Sequence, residues 1–209
     1  MINIDLFDTP ADRIEKLHDS EYVVVCYFSA GSREDWRADA DDFSQEVLGK
    51  KMQGWEGERW LDIRRNDDLA PVMIARLDLA VSKGCDGVEP DNVDGYQNRT
   101  GFALTAEDQL SYNIWLAEQT HRRGLSIGLK NDLDQVQELE PYFDWALNEQ
   151  CFEYDECDKL LPFVEAGKAV FGVEYNLEVD EFCDQANAMR FSWLRKELDL
   201  GAWGEACWE

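Results

Sequence analysis

The chain has 209 residues, 44% hydrophobic and 12% aromatic, a composition that fills one sizeable core and excludes a disordered acidic tail. Twenty basic against 45 acidic side chains leave a formal charge of −25, which repels phosphate backbones and anionic membranes and so argues against nucleic acid or membrane as partners. The six cysteines lack paired CxxC elements, which argues against a structural zinc site.

No interior stretch rich in Pro, Gly and Ser divides the chain, so residues 1–209 read as a single domain. No basic start followed by an apolar core opens it, no apolar run reaches transmembrane length, and localisation is not legible. One or two disulfides among Cys151, Cys157 and Cys183 are expected in an oxidising compartment.

Apolar β-branched runs alternate with helical patterns. Residues 2–7 and 22–28 read as strands, the second with Val23, Val24 and Val25 buried as in a parallel sheet. Between them Thr9 is placed to cap a helix whose first turn holds Pro10 and Asp12, with Ile14 and Leu17 on one face. Residues 29–60 form a long polar and aromatic segment of the kind that wraps a rim or carries function, and it ends at a short strand, 61–63. Pro71 is expected to open a helix that buries Met73, Leu77, Ala80 and Val81 and stops at Gly84. Strand GVEPDNVD follows. Thr105 and Asp108 pattern a capping box for a helix with Leu110, Ile114 and Ala117 in register, ended by Arg122, Arg123 and Gly124. A strand at 125–130, a short helix through Val136 and Leu139, a strand at 144–149, a helix at 160–164 and a strand at 169–175 continue the order.

A repeated βα order permits an open doubly wound sheet or a closed barrel. No GxGxxG or GxxxxGK[ST] follows a strand, which removes the best evidence for a nucleotide-binding open sheet. Polar residues instead stand at strand C-terminal ends: Tyr27 and Ser29, Asp91 and Asp94, Lys130 and Asn131, Asn148 and Glu149, Glu174 and Tyr175. In a β/α barrel that end is the active face, and the expected fold is α/β, a (β/α)8 TIM-type barrel.

The only two histidines, His18 and His121, read as ordinary helix-terminal residues, so a Ser/His/Asp hydrolase or a His-rich metal site is hard to assemble. Neither metal nor cofactor is expected. Carboxylates carry the chemistry. Asp91 and Glu149 end strands two apart on one rim and are expected to face each other across a cleft. Glycosidic cleavage needs such a pair, one acid to protonate the departing oxygen and one carboxylate to attack the anomeric carbon or activate water. Against this stands the plain reading of either acid as a solvated rim residue or a helix cap. Lys130 is the candidate to hold one carboxylate ionised, and burial beside Tyr27 or Trp145 the candidate to raise the pKa of the other. A carbohydrate-binding barrel without turnover, and an intracellular β/α enzyme acting on a small metabolite, are the rival functions.

The stretches CYFSAGS, WLDIR, ARLDLAVSKGCDGVEPDNVDGY, LSIGLKND, FDWALNEQCFEYDEC and AVFGVEY together resemble glycoside hydrolase family 114, the endo-α-1,4-polygalactosaminidases, from the first residues to about Trp193. The resemblance implies a TIM-type barrel and internal cleavage of α-1,4-linked galactosamine polymers. It places the catalytic acids at Asp91 and Glu149, in the motifs resembling EPDNVD and NEQC, with Asp94 in the first of these as a further binding residue. It also implies a cleft lined by Tyr27, Lys130, Asn131, Asn148, Glu174 and Tyr175. Comparison with other β/α-barrel glycosidases leads to the expectation of a retaining mechanism with Asp91 as nucleophile and Glu149 as acid/base. A cationic amino-sugar polysaccharide is then the partner of a monomeric enzyme, and the acidity gains a use. The family usually has one more strand upstream of the segment resembling INIDLFDT, so the barrel is expected to be incomplete at the N-terminus, with residues 191–194 as candidates to close the gap.

Overall fold

The opening strand β1 (Ile2–Asp5) pairs in parallel with β2 (Val24–Ser29), placing Ile2 opposite Val24 and Asp5 opposite Tyr27 in the computed structural model, which describes residues 1–207. Helix α1 (Ala11–Asp19) makes the crossover and buries Ile14. Thr9 does not cap it: Pro10 holds the cap position without a side-chain hydrogen bond, because its extended backbone and missing N–H already suit the start of a helix.

The long segment that follows is not a loop. Strands β3 (Ser32–Glu34), β4 (Leu48–Lys51) and β5 (Glu58–Leu61) form a small antiparallel sheet with β5 in the middle. The strand expected at 61–63 therefore lies three residues earlier and belongs to this sheet, not to the parallel one. Helix α2 (Asn66–Lys83) starts ahead of Pro71, which sits inside it; Asn66, Asp67 and Asp68 supply the first turn, and acidic residues suit its positive end. Leu69, Val72, Met73, Leu77 and Ala80 form its buried face, and Gly84 ends it at φ 87°, where a side chain would be strained. Strand β6 (Gly87–Asp91) runs parallel to β2, with Ser29 opposite Asp91. Helix α3 (Ala106–His121) carries the expected Thr105/Asp108 capping box and buries Tyr112, Leu116 and Ala117.

Strand β7 (Ser126–Lys130) begins in the first of two compact units, Met1–Gly128, and ends in the second, Leu129–Glu209. In the second unit a four-residue helix α4 (Val136–Leu139) leads to β8 (Trp145–Glu149), α5 (Leu161–Glu165) to β9 (Ala169–Glu174), and α6 (Val179–Ala188) to β10 (Ser192–Arg195). β8, β9 and β10 are parallel in that order, and a short β11 (Glu205–Ala206) returns antiparallel along β10. The segment expected to help close a barrel is thus a regular parallel strand, with Trp193 opposite Gly172. A Cβ on Gly172 would lie 2.1 Å from the Trp193 ring, so only glycine fits beneath that indole.

Among the described residues seven strands, β1, β2 and β6 to β10, alternate with helices in the manner of a TIM-type β/α barrel, one fewer than the eight of the complete pattern. All six cysteines are paired, as Cys26–Cys85, Cys151–Cys157 and Cys183–Cys207. Of the bridges expected among Cys151, Cys157 and Cys183, one forms, Cys151–Cys157; Cys183 joins Cys207 instead, and the Cys26–Cys85 bridge was not anticipated. Among the described residues no helix is long and apolar enough to cross a membrane.

Candidate active site

The candidate residues fall into two groups, one in each unit. In the first, Asp91 ends β6 half-buried, and its Oδ2 accepts a hydrogen bond from the Tyr27 hydroxyl on β2 at 3.0 Å. Its backbone carbonyl accepts from the N–H groups of Ala30 and Gly31 at 2.8 and 3.1 Å. This approach is so close that a Cβ on Gly31 would fall 1.7 Å from the Asn92 carbonyl oxygen, so the position admits no side chain. Asp94 lies in the turn after β6 and accepts from the Asn98 amide, 3.3 Å to Oδ1 and 3.2 Å to the backbone oxygen.

Buried charge that composition conceals surrounds this group. Arg37 donates to both oxygens of Asp5, at 3.0 and 2.6 Å, and to Glu34 at 2.9 Å. Arg76, 1% exposed, forms a two-point contact with Asp39 at 2.7 and 2.9 Å and donates to the Ser29 carbonyl. Glu58, opposite Glu34 across β3 and β5, is buried, and burial pushes its carboxyl pKa up. The Ser32 hydroxyl at 2.7 Å counters that push, and the nearby Glu34 and Asp91 charges add to it. None of these acids stands out in a sequence with 45; their only signal is a long polar segment too rich in tryptophan to be a simple loop.

In the second unit Glu149 ends β8. Its Oε1 accepts the Tyr175 hydroxyl, and its Oε2 lies 3.3 Å from both the Asn131 amide nitrogen and the Lys130 ammonium. The Asn131 side-chain oxygen accepts from the Glu149 backbone N–H at 2.9 Å and from Asn148 Nδ2 at 3.2 Å, so one asparagine fixes both ends of the glutamate. The sequence offers Lys130 as the charge that tells the two acids apart. The expected use of that charge is to hold Asp91 ionised as the nucleophile; its ion pair is with Glu149, the residue expected as the acid, so it does not single out Asp91. Trp145 stands four residues, about 13 Å, from Glu149 along the strand and packs edge-on against Phe171, so it does not set that carboxyl's environment.

Three of the expected sugar-contacting residues are buried: Lys130, Asn148 and Glu174. Glu174 is 0% exposed and accepts from the Phe152 backbone N–H at 2.9 Å and the Trp193 indole at 3.3 Å, and burial raises its pKa. Asn148 is 2% exposed. Asn148 donates to the same Asn131 oxygen that accepts the Glu149 N–H, so it helps hold that asparagine beside the glutamate. Tyr27, Asp91, Asp94, Asn131, Glu149 and Tyr175 keep partial exposure, whereas Lys130 is buried with its ammonium against Glu149.

Three of the strand ends that carry candidate residues share one backbone device. Asp91 is followed by Asn92 at φ 61°, Lys130 by Asn131 at φ 51°, and Glu149 by Gln150 at φ 67°, all in the left-handed region. The strand stops abruptly there and the chain turns away, leaving the last side chain at the edge. Among the described residues no group of three His, Cys, Asp or Glu is placed to hold a metal ion.

The sequence pattern described as glycoside-hydrolase family GH114 matches residues 1–209. The crystal structure of Aspergillus fumigatus Ega3 in complex with galactosamine is similar over 98% of this chain and 86% of that one, at 42% identity and a TM-score of 0.93. The glycoside hydrolase domain of PelA from Pseudomonas aeruginosa, at 13% identity, covers 98% of this chain and 89% of its own with a TM-score of 0.76, a likeness of fold alone. No curated protein matches the chain.

Proposed function

The chain belongs to glycoside hydrolase family 114 and is a glycosidase acting on O-glycosyl bonds, and from that premise we propose that it cleaves α-1,4-linked galactosamine polymers internally, with Asp91 and Glu149 as its carboxylate pair. The observation that carries the assignment is a shared one. Each acid ends a barrel-type strand and accepts a hydrogen bond from a tyrosine, Tyr27 for Asp91 and Tyr175 for Glu149. Strand C-terminal ends are where β/α-barrel enzymes place their chemistry. The reading takes residues 1–209 as one catalytic domain, supported by a family match over that whole length.

Galactosamine units are cationic when not acetylated, and the similar Aspergillus protein was crystallised with galactosamine. A chain of net charge −25 attracts such a polymer over a range set by the ionic strength. Reducing-end release from partly deacetylated polygalactosamine should therefore exceed that from the fully acetylated polymer. Raising salt from about 0.02 M to about 0.5 M, which shortens the screening length several-fold, should raise KM several-fold. Equal rates on both polymers at low salt would separate the acidity from substrate choice.

For the mechanism, the reading keeps Asp91 as nucleophile on the anomeric carbon and Glu149 as acid/base. Lys130 and Tyr175 are well placed to steady Glu149 in the ionised state it reaches after protonating the leaving oxygen. The first-formed product should then have the anomeric configuration of the substrate when followed by NMR. Inverted product at the earliest times would replace the nucleophile with a water activated by one of the two carboxylates.

A further inference from the structure

Behind Asp91 runs a chain of hydrogen bonds whose direction can be worked out donor by donor. The Asn92 amide donates to Ser29 Oγ at 2.9 Å, and the Ser32 backbone N–H donates to the same oxygen at 3.1 Å. With both acceptor positions taken, the Ser29 hydroxyl directs its own proton to Ser32 Oγ at 2.7 Å. Ser32 in turn donates to Glu58 Oε2 at 2.7 Å. Along the side chains every proton points the same way, from Asn92 through Ser29 and Ser32, and the run ends on a carboxyl oxygen of Glu58 that accepts.

We propose that Glu58, acting through Ser32, Ser29 and Asn92, is a positioning residue for the Asp91 carboxylate. The proposal rests on the role given to Asp91 above. Asn92 holds a left-handed backbone at φ 61°, which orients the peptide joining it to Asp91. The Asp91 carbonyl is gripped from the other side by the N–H groups of Ala30 and Gly31. Tyr27 holds the carboxylate's tip, at 3.0 Å. The chain from Glu58 therefore fixes the peptide on which that carboxylate swings, and displacement of an attacking group by about 1 Å is enough to lower a rate about 100-fold.

Glu58 also ends the chain with a group that titrates. Ser32 donates to it, Glu34 lies opposite on β3, and Asp91 and the Arg37 guanidinium act on it through space. Burial is the main cause that favours its neutral form, with Glu34 and Asp91 adding to it. A glutamine keeps the acceptor for Ser32 but cannot ionise; an alanine removes the acceptor altogether. The two substitutions thus separate the hydrogen bond from the charge.

The test measures kcat and KM on partly deacetylated polygalactosamine for the full chain as wild type, Glu58→Ala, Glu58→Gln, Ser32→Ala and Asp91→Asn, with folding followed by near-ultraviolet circular dichroism. Glu58→Ala and Ser32→Ala should lose about 10- to 100-fold in kcat with KM within about twofold. Glu58→Gln should regain at least half of that loss on a logarithmic scale. Folded Glu58→Ala with wild-type kcat, or Gln no better than Ala, overturns the proposal. So does unfolding of both alanine variants, which makes the chain a support of the small sheet. A fully active Asp91→Asn defeats the reading of Asp91 instead, and an inactive wild type defeats the choice of polymer.

Discussion

Asp91→Asn and Glu149→Gln should each lower kcat on the polymer by about 1,000-fold or more, on the order of 4 kcal/mol of transition-state stabilisation, without unfolding the chain. Both replacements are nearly isosteric. Asparagine still offers an oxygen to the Tyr27 hydroxyl, and glutamine still offers one to Tyr175. What each loses is charge and the capacity to exchange a proton. The two should nevertheless differ on a substrate with a good leaving group, which needs little protonation: Glu149→Gln should recover much of its rate and Asp91→Asn should not. Rescue of the reverse pattern would exchange their roles, and wild-type rates in either variant would dissolve the pair. A residue that merely lines the cleft would raise KM and leave kcat standing.

Removing the Cys26–Cys85 bridge should have the largest effect on stability. It closes a loop with a sequence separation of 59, and in the chain-entropy account a loop of that length is worth about 4 kcal/mol. For a domain of this size the double variant Cys26→Ala/Cys85→Ala should melt roughly 10 °C lower. Activity at low temperature should also suffer, because the bridge ties β2, which carries Tyr27, to the residue that leads into β6 and Asp91. Neighbouring Asp86 strengthens that tie by accepting from the Val24 N–H at 2.7 Å and from His18 at 2.9 Å. Cys151–Cys157, with a separation of 6, should contribute about half as much. Calorimetry of the wild type and the double variant, both oxidised, is the measurement, and an unchanged melting temperature in the double variant would contradict it.

The parallel strands and the capping box at Thr105 and Asp108 are legible because they follow local periodicity and local hydrogen bonding. The three-stranded antiparallel sheet is not, since strands of three or four residues with charged members offer no period to detect. Pro71 misleads as a helix start because an acidic first turn five residues earlier begins the helix without it. Disulfide partners are set by tertiary proximity, which spacing does not encode. Strand ends show a more instructive limit. Each offers two consecutive polar residues, and side chains alternate across a sheet, so Asn148 and Glu174 turn inward while Glu149 and Tyr175 remain accessible. The sequence names both members of each pair; only the pleat separates the accessible side chain from the buried one.

Loops at an active rim are ordinarily where related chains differ most freely. The left-handed residues Asn92, Asn131 and Gln150 reverse that expectation at three points. Glycine, asparagine or aspartate can occupy such a backbone at small penalty, whereas a β-branched residue meets strain on the order of 1 kcal/mol or more. Asn92 and Asn131 are further constrained because their side chains donate to Ser29 and Glu149. The freedom of this enzyme to drift toward other glycans therefore lies beyond these positions, in what the loops carry after the turn, while the step directly following these three strands is closed to β-branched residues.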